Sequence, residues 1–72
     1  MAKTHVRNNI RKLRFEHGEM TQQQLAEQVG VTRQTIVAIE KEKYSPSLEA
    51  AFRIAAVFGQ PLETVFYYDA GA

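Results

Sequence analysis

The stretch Gln22 to Lys41, QQQLAEQVGVTRQTIVAIEK, constrains this chain more than any other. Apolar residues recur there at helical spacing on both sides of one glycine, with Leu25 and Val29 before it and Ile36 and Ile39 after it. Thr21 is placed to cap the free N–H groups of a first helix over 22–29, and Gln24, three residues on, completes a reciprocal capping box. Gly30 ends that helix, as the residue type that most readily takes left-handed backbone angles. Thr32 caps a second helix, running to about Lys41. Two helices joined by so short a turn must cross steeply, and each inward position then has a definite requirement. Ala26 is small where the axes approach, Gly30 supplies the positive φ, Val31 plugs the corner, and Leu25, Val29, Ile36 and Ile39 share one apolar seam.

The rest of the chain is punctuated into three further helical segments. The first, about Arg7 to His17, carries Ile10, Leu13 and His17 at helical spacing, with Val6 leading in on the same side. Phe15 lies about 140° round from Ile10 and is either a half-exposed aromatic or a contact with something else. Ser45-Pro46-Ser47 reads as an extended loop whose last residue caps a helix over Leu48 to Phe58. That helix is expected to turn Leu48, Phe52, Ala55 and Phe58 to one side. Gly59 terminates it, and Pro61 opens a short last helix to about Val65. The tail Phe66-Tyr67-Tyr68 has strand character, and its expected partner is the stretch around Thr4 to Arg7, which would join the termini in a two-stranded ribbon.

Composition bears mainly on what the chain does not do. Its 72 residues form one domain at most, with too little core to spare for a deep active site. There is no cysteine for a disulfide, a thiolate zinc site or a nucleophile. No apolar run approaches the roughly 20 residues a bilayer requires, and Met1 to Arg7 lacks a signal-peptide pattern, so a cytoplasmic location with no membrane association is expected. His5 and His17 have no spaced metal-ligand partners, and the glycines are isolated helix punctuation. No catalytic residue, metal, cofactor or small-molecule ligand is therefore expected, and the protein reads as a non-enzyme. The net charge of +1 hides an asymmetry, because residues 1–14 carry +5 and residues 15–72 carry −4. A basic end points to an anionic partner, although a solvated basic helix face explains it equally well.

The segments TQQQLAEQVGVTRQTIVAIEK and SPSLEAAFRIAAVFG resemble those of the Cro/C1-type, or Xre-type, helix-turn-helix DNA-binding regulators. The likeness covers about residues 7–66 of the single domain 1–72, with the helix-turn-helix proper at 22–41, and is strongest to short stand-alone bacterial repressors of the cytolysin-repressor kind. It implies an all-α, five-helix, lambda-repressor-like domain with a small β-ribbon at the termini, binding double-stranded DNA as a homodimer on a palindromic operator. On the recognition helix, Arg33, Gln34, Val37 and Ala38, with Thr35 on the flank, remain outside the seam and would face the major groove. Arg33 suits the N7 and O6 of guanine, with a phosphate contact or a first-turn surface charge as its alternative; Gln34 suits adenine, and Val37 and Ala38 offer only apolar contact, which for Val37 partial burial would explain equally well. The resemblance assigns Gln22, Lys41, Lys43 and Tyr44 to phosphate positioning, and pairs Arg14 with Glu40 as a structural lock. It also marks a departure: Glu42 stands where the family commonly has glycine, so either the loop takes another path or Glu42 turns towards solvent and Lys43. The Gly18-Glu19-Met20 linker also looks one residue longer than in the phage repressors.

A dimer interface is expected among Phe58, Leu62, Val65, Phe66 and Tyr67, unless Phe58, Leu62 and Val65 simply close the monomer core. Other readings remain open at this level. A restriction-modification controller or an antitoxin would also bind DNA, whereas a helical protein-interaction module would not.

Overall fold

Three of the five helices start at a hydroxyl side chain that accepts from a backbone N–H three residues on. Thr21 accepts from Gln24, Thr32 from Thr35 and Ser47 from Ala50. At Thr21 the box is reciprocal, since the Gln24 side chain accepts the Thr21 N–H at 2.9 Å. The computed structural model describes residues 5–69. In chain order these form β1 (Val6–Asn8), α1 (Ile10–Glu16), α2 (Gln22–Val29), α3 (Arg33–Glu40), α4 (Leu48–Phe58), α5 (Leu62–Val65) and β2 (Phe66–Tyr68). The architecture is all-α with a two-stranded antiparallel ribbon, in which Val6 pairs with Tyr68, Arg7 with Tyr67 and Asn8 with Phe66.

Gly30 and Gly59 end α2 and α4 at φ 85° and 62°, a region open to glycine because it has no Cβ. After α4 the Gln60 N–H returns to the Ala55 carbonyl and the Gly59 N–H to that of Ala56, the paired bonds of a Schellman motif. The helices enclose one core in which Ile10, Leu25, Ala26, Ile36, Ile54 and Val65 are completely buried. Val31 is half-buried at the corner between α2 and α3 and packs on that core. Arg53 ties α4 to the turn by donating to the Val29 carbonyl at 3.2 Å.

The start of the first helix and the buried face of the fourth differ from expectation. The first helix begins at Ile10, not Arg7, because Val6–Asn8 is drawn into the ribbon and Asn8 Oδ1 accepts the Ile10 N–H. Of the expected partner strand, Thr4 lies outside the described residues. On α4 the buried side is Ala51, Ile54, Ala55 and Phe58, whereas Leu48 and Phe52 are 67% and 54% exposed. An 11-residue helix this apolar offers several possible stripes, and packing against α2 and α5 selects one. Phe15 is exposed, and His17 closes α1, with its ring edge-on to Phe58 at 5.2 Å between centroids. Phe58, Val65 and Phe66 are buried inside the chain, Leu62 packs partly against the core, and Tyr67 is exposed.

Removing the accepting hydroxyl with Thr21→Ala should lower stability by about 1 kcal/mol. Ala26→Leu, which forces a larger group into a completely buried position, should lower it by about 1–3 kcal/mol. Urea unfolding followed by circular dichroism measures both.

Candidate nucleic-acid interface

The exposed side of α3 is organised from beneath by a charged cluster. Arg14 of α1 donates from Nε to Glu40 Oε2 at 2.7 Å and from Nη2 to Glu40 Oε1 at 3.1 Å. Its remaining donor, Nη1, reaches the Met20 carbonyl at 2.8 Å. Gln22, the first residue of α2, donates to Glu40 Oε1 at 3.3 Å. The pair is largely withdrawn from solvent, with side-chain exposures of 14% for Arg14 and 9% for Glu40. Three helices thus meet on one carboxylate at the end of α3. The two-pronged guanidinium geometry fixes direction as well as distance, which a lysine could not do.

Above this cluster lies a shallow groove lined by Arg11, Arg14, Thr21, Gln22, Gln23, Arg33, Val37, Glu40 and Lys41. Arg33 and Gln34, in the first turn of α3, are exposed, and among the described residues their side chains have no hydrogen-bonding or ionic partner. Thr35 is half-buried with its hydroxyl 3.0 Å from that of Thr32, so the helix start partly occupies it. Val37 and Ala38 are half-buried, and Lys41, Lys43 and Tyr44 are exposed along the departing loop. The groove gathers Gln22, Arg33, Val37 and Lys41, while Lys43 and Tyr44 lie outside its lining.

Arg11 was not among the sequence candidates, yet it lines the groove beside Arg33 and Lys41. A signal was available: Arg11 precedes Arg14 by three residues, which places both on one side of a helix. The surface therefore combines cations from α1 and α3 with polar groups at the start of α2. Its chemistry suits a polyanion with readable edges: positive charge for phosphates, and a guanidinium and an amide for bases. Among the described residues no group of three or more His, Asp or Glu side chains could hold a metal ion. No helix there is long and apolar enough to cross a membrane.

Glu42 departs from both expected outcomes. The loop keeps the left-handed path, with Glu42 at φ 62°, and the carboxylate turns to Arg7 of β1 rather than to solvent or Lys43. Arg7 Nε donates to Glu42 Oε2 at 2.6 Å, and Arg7 Nη1 donates to Asp69 Oδ2 at 3.1 Å. The hydrogen bond with Glu42, and next its charge, raise the Arg7 pKa above its ordinary value.

The packed helices α2 and α3, each capped and joined through Gly30, with Arg33 and Gln34 exposed on the second, make up a helix-turn-helix. The helix-turn-helix family model matches residues 10–65, and the chain belongs to that family. It is 54% identical over 65 residues to an HTH-type transcriptional regulator of Methanothermobacter thermautotrophicus, covering 89% of this chain and 93% of the relative. It is 44% identical over 64 residues to the HTH-type transcriptional regulator YgzD of Bacillus subtilis, covering 89% and 96%. It also resembles the cryptic phage CTXphi transcriptional repressor RstR of Vibrio cholerae, at 36% identity over 55 residues, covering 76% of this chain and 49% of RstR. A solved structure from Bacteroides fragilis shares the fold with a TM-score of 0.73 at 24% identity, covering 86% of this chain and 98% of that one. The relatives are archaeal as well as bacterial.

Arg14→Met strands the Glu40 carboxylate with Gln22 alone and should destabilise the fold by about 3 kcal/mol. Gln22→Ala leaves the ion pair intact, removes one hydrogen bond to Glu40 and should lower stability by about 1 kcal/mol. The urea midpoints of the two variants separate these outcomes.

Proposed function

We propose that this chain is a sequence-specific DNA-binding transcriptional regulator of the Cro/C1 type, acting as a repressor. It inserts α3 into the major groove. The observation that carries the reading is the exposed first turn of α3, where Arg33 and Gln34 have no partner among the described residues and stand beside a cationic groove. A guanidinium there suits guanine and an amide suits adenine. Thr35, Val37 and Ala38 complete the reading face, with apolar contact to thymine methyls from the last two. Gln22, Lys41, Lys43 and Tyr44 position the protein on phosphates, and Arg11 joins them. The curated relatives named as HTH-type transcriptional regulators support this reading, as does the repressor named for RstR.

The chain acts as a homodimer on a palindromic operator. One recognition helix spans only a few base pairs, and half-sites about 34–36 Å apart supply the remaining specificity. With Phe58, Val65 and Phe66 buried in the monomer, the C-terminal end offers a second copy Tyr67 and the open part of Leu62, to which the exposed Tyr68 adds area.

Selection of bound sequences from a random DNA pool tests the reading and should return a two-fold-symmetric site. On that site Arg33→Ala and Gln34→Ala should each erase preference at specific base pairs, by about 1–3 kcal/mol per pair. Gln22→Ala and Lys43→Ala should instead weaken every sequence alike. Wild-type affinity should fall with salt at a log–log slope of about −0.9 per phosphate contact. A flat salt response, or an operator preference untouched by the Arg33 and Gln34 variants, would sink the assignment.

A further inference from the structure

The loop that leaves α3, Lys41-Glu42-Lys43-Tyr44, sets a carboxylate between two cations. Its backbone is a Schellman turn: the Lys43 N–H bonds the Ala38 carbonyl at 3.0 Å and the Glu42 N–H bonds that of Ile39 at 3.0 Å. Glu42 holds the left-handed position of that turn, which disfavours any residue carrying a Cβ. Two successive residues of β1 grip this corner. Arg7 donates to the Glu42 carboxylate at 2.6 Å, and Asn8 Nδ2 donates to the Ile39 carbonyl at 2.9 Å. The Glu42 side chain is consequently only 18% exposed, while Lys41 and Lys43 on either side are open to solvent.

We propose that Arg7 is a positioning residue for DNA binding, which neutralises Glu42 and holds its carboxylate off the duplex so that Lys41 and Lys43 can engage phosphates. The proposal rests on the DNA-binding reading above. Without Arg7, a carboxylate carried between two phosphate-binding lysines turns outward, and its repulsion of the DNA backbone opposes their attraction. The terminal ribbon, which lies outside the helix-turn-helix, thereby becomes part of the binding machinery. Arg7 acts through Glu42 and not as a phosphate ligand, and this makes the two roles separable by a second substitution.

The test compares wild type, Arg7→Gln, Glu42→Gly and the double variant for binding to a labelled random-sequence duplex and to the selected operator. Binding is measured across a salt series, well below the unfolding temperature of each protein. Arg7→Gln should weaken both duplexes about five- to tenfold and reduce the salt slope by about 0.9. Adding Glu42→Gly should restore affinity and slope to within about twofold of wild type, although it does not restore the cation. A double variant as weak as Arg7→Gln would overturn the proposal, since Arg7 would then act on DNA or on the fold directly. Should Arg7→Gln not fold, Glu42→Gln in the presence of Arg7 decides: affinity within about threefold of wild type supports the proposal, and a tenfold gain overturns it. A wild-type chain that binds neither duplex removes the DNA reading itself, whereas failed rescue with wild-type binding intact removes only the role of Arg7.

Discussion

The carboxylate of Glu40 is the point through which the rest of the molecule is oriented. It ends α3, receives Arg14 from α1 and takes a further hydrogen bond from Gln22 at the start of α2. Burial of an ion pair contributes little net stability, because desolvation offsets most of the attraction. Its value here is directional. Apolar packing among Leu25, Ile36 and Ile39 holds α2 against α3 but sets their crossing only to within about 15–20°, and does not tie either helix to one fixed direction. The forked guanidinium does, and it extends the constraint to α1. Arg11 and Arg33, which come from different helices, line the same groove because both helices are referenced to one side chain.

How much of this was legible from residues alone depended on how local the governing rule is. Thr21 with Gln24, Thr32, Ser47, Gly30 and Gly59 act within one helical turn, so their roles could be read without knowledge of the fold. The Arg14–Glu40 pair came from resemblance, since nothing in the spacing of two residues so far apart demands a contact. The buried face of α4 is not legible locally because LEAAFRIAAVF is apolar on nearly all sides, and periodicity cannot choose when most choices are permitted. The start of α1 is hidden for a different reason. Val6, Arg7 and Asn8 suit a helix well enough in isolation, and only the strand at Phe66–Tyr68 recruits them elsewhere. The answer to Glu42 also lay far away in sequence, at Arg7, where no local pattern could have announced it.

In the candidate interface the same division holds. The outward residues of α3, Arg33 and Gln34 among them, follow from the apolar seam by subtraction. Arg11 depends on the angle between α1 and α3, a tertiary quantity. The C-terminal aromatic residues divide by neighbourhood, with Phe58 and Phe66 in the core and Tyr67 and Tyr68 outside it. The phenolic hydroxyls already favour the tyrosines for the outside, while α4 turns Phe58 and the ribbon turns Phe66 into the core.

The ribbon has a kinetic consequence as well. Arg7 and Asp69 are 62 positions apart, so pairing β1 with β2 closes nearly the whole chain into a loop. The entropy of such a closure is lost before three-residue strands can return much of it. The helix-turn-helix, by contrast, is assembled from neighbours in sequence. The difference in sequence separation favours assembly of α2 and α3 ahead of the ribbon. In that order the contacts around Thr32 hold the start of α3 before Arg7 and Asn8 reach the corner where it ends.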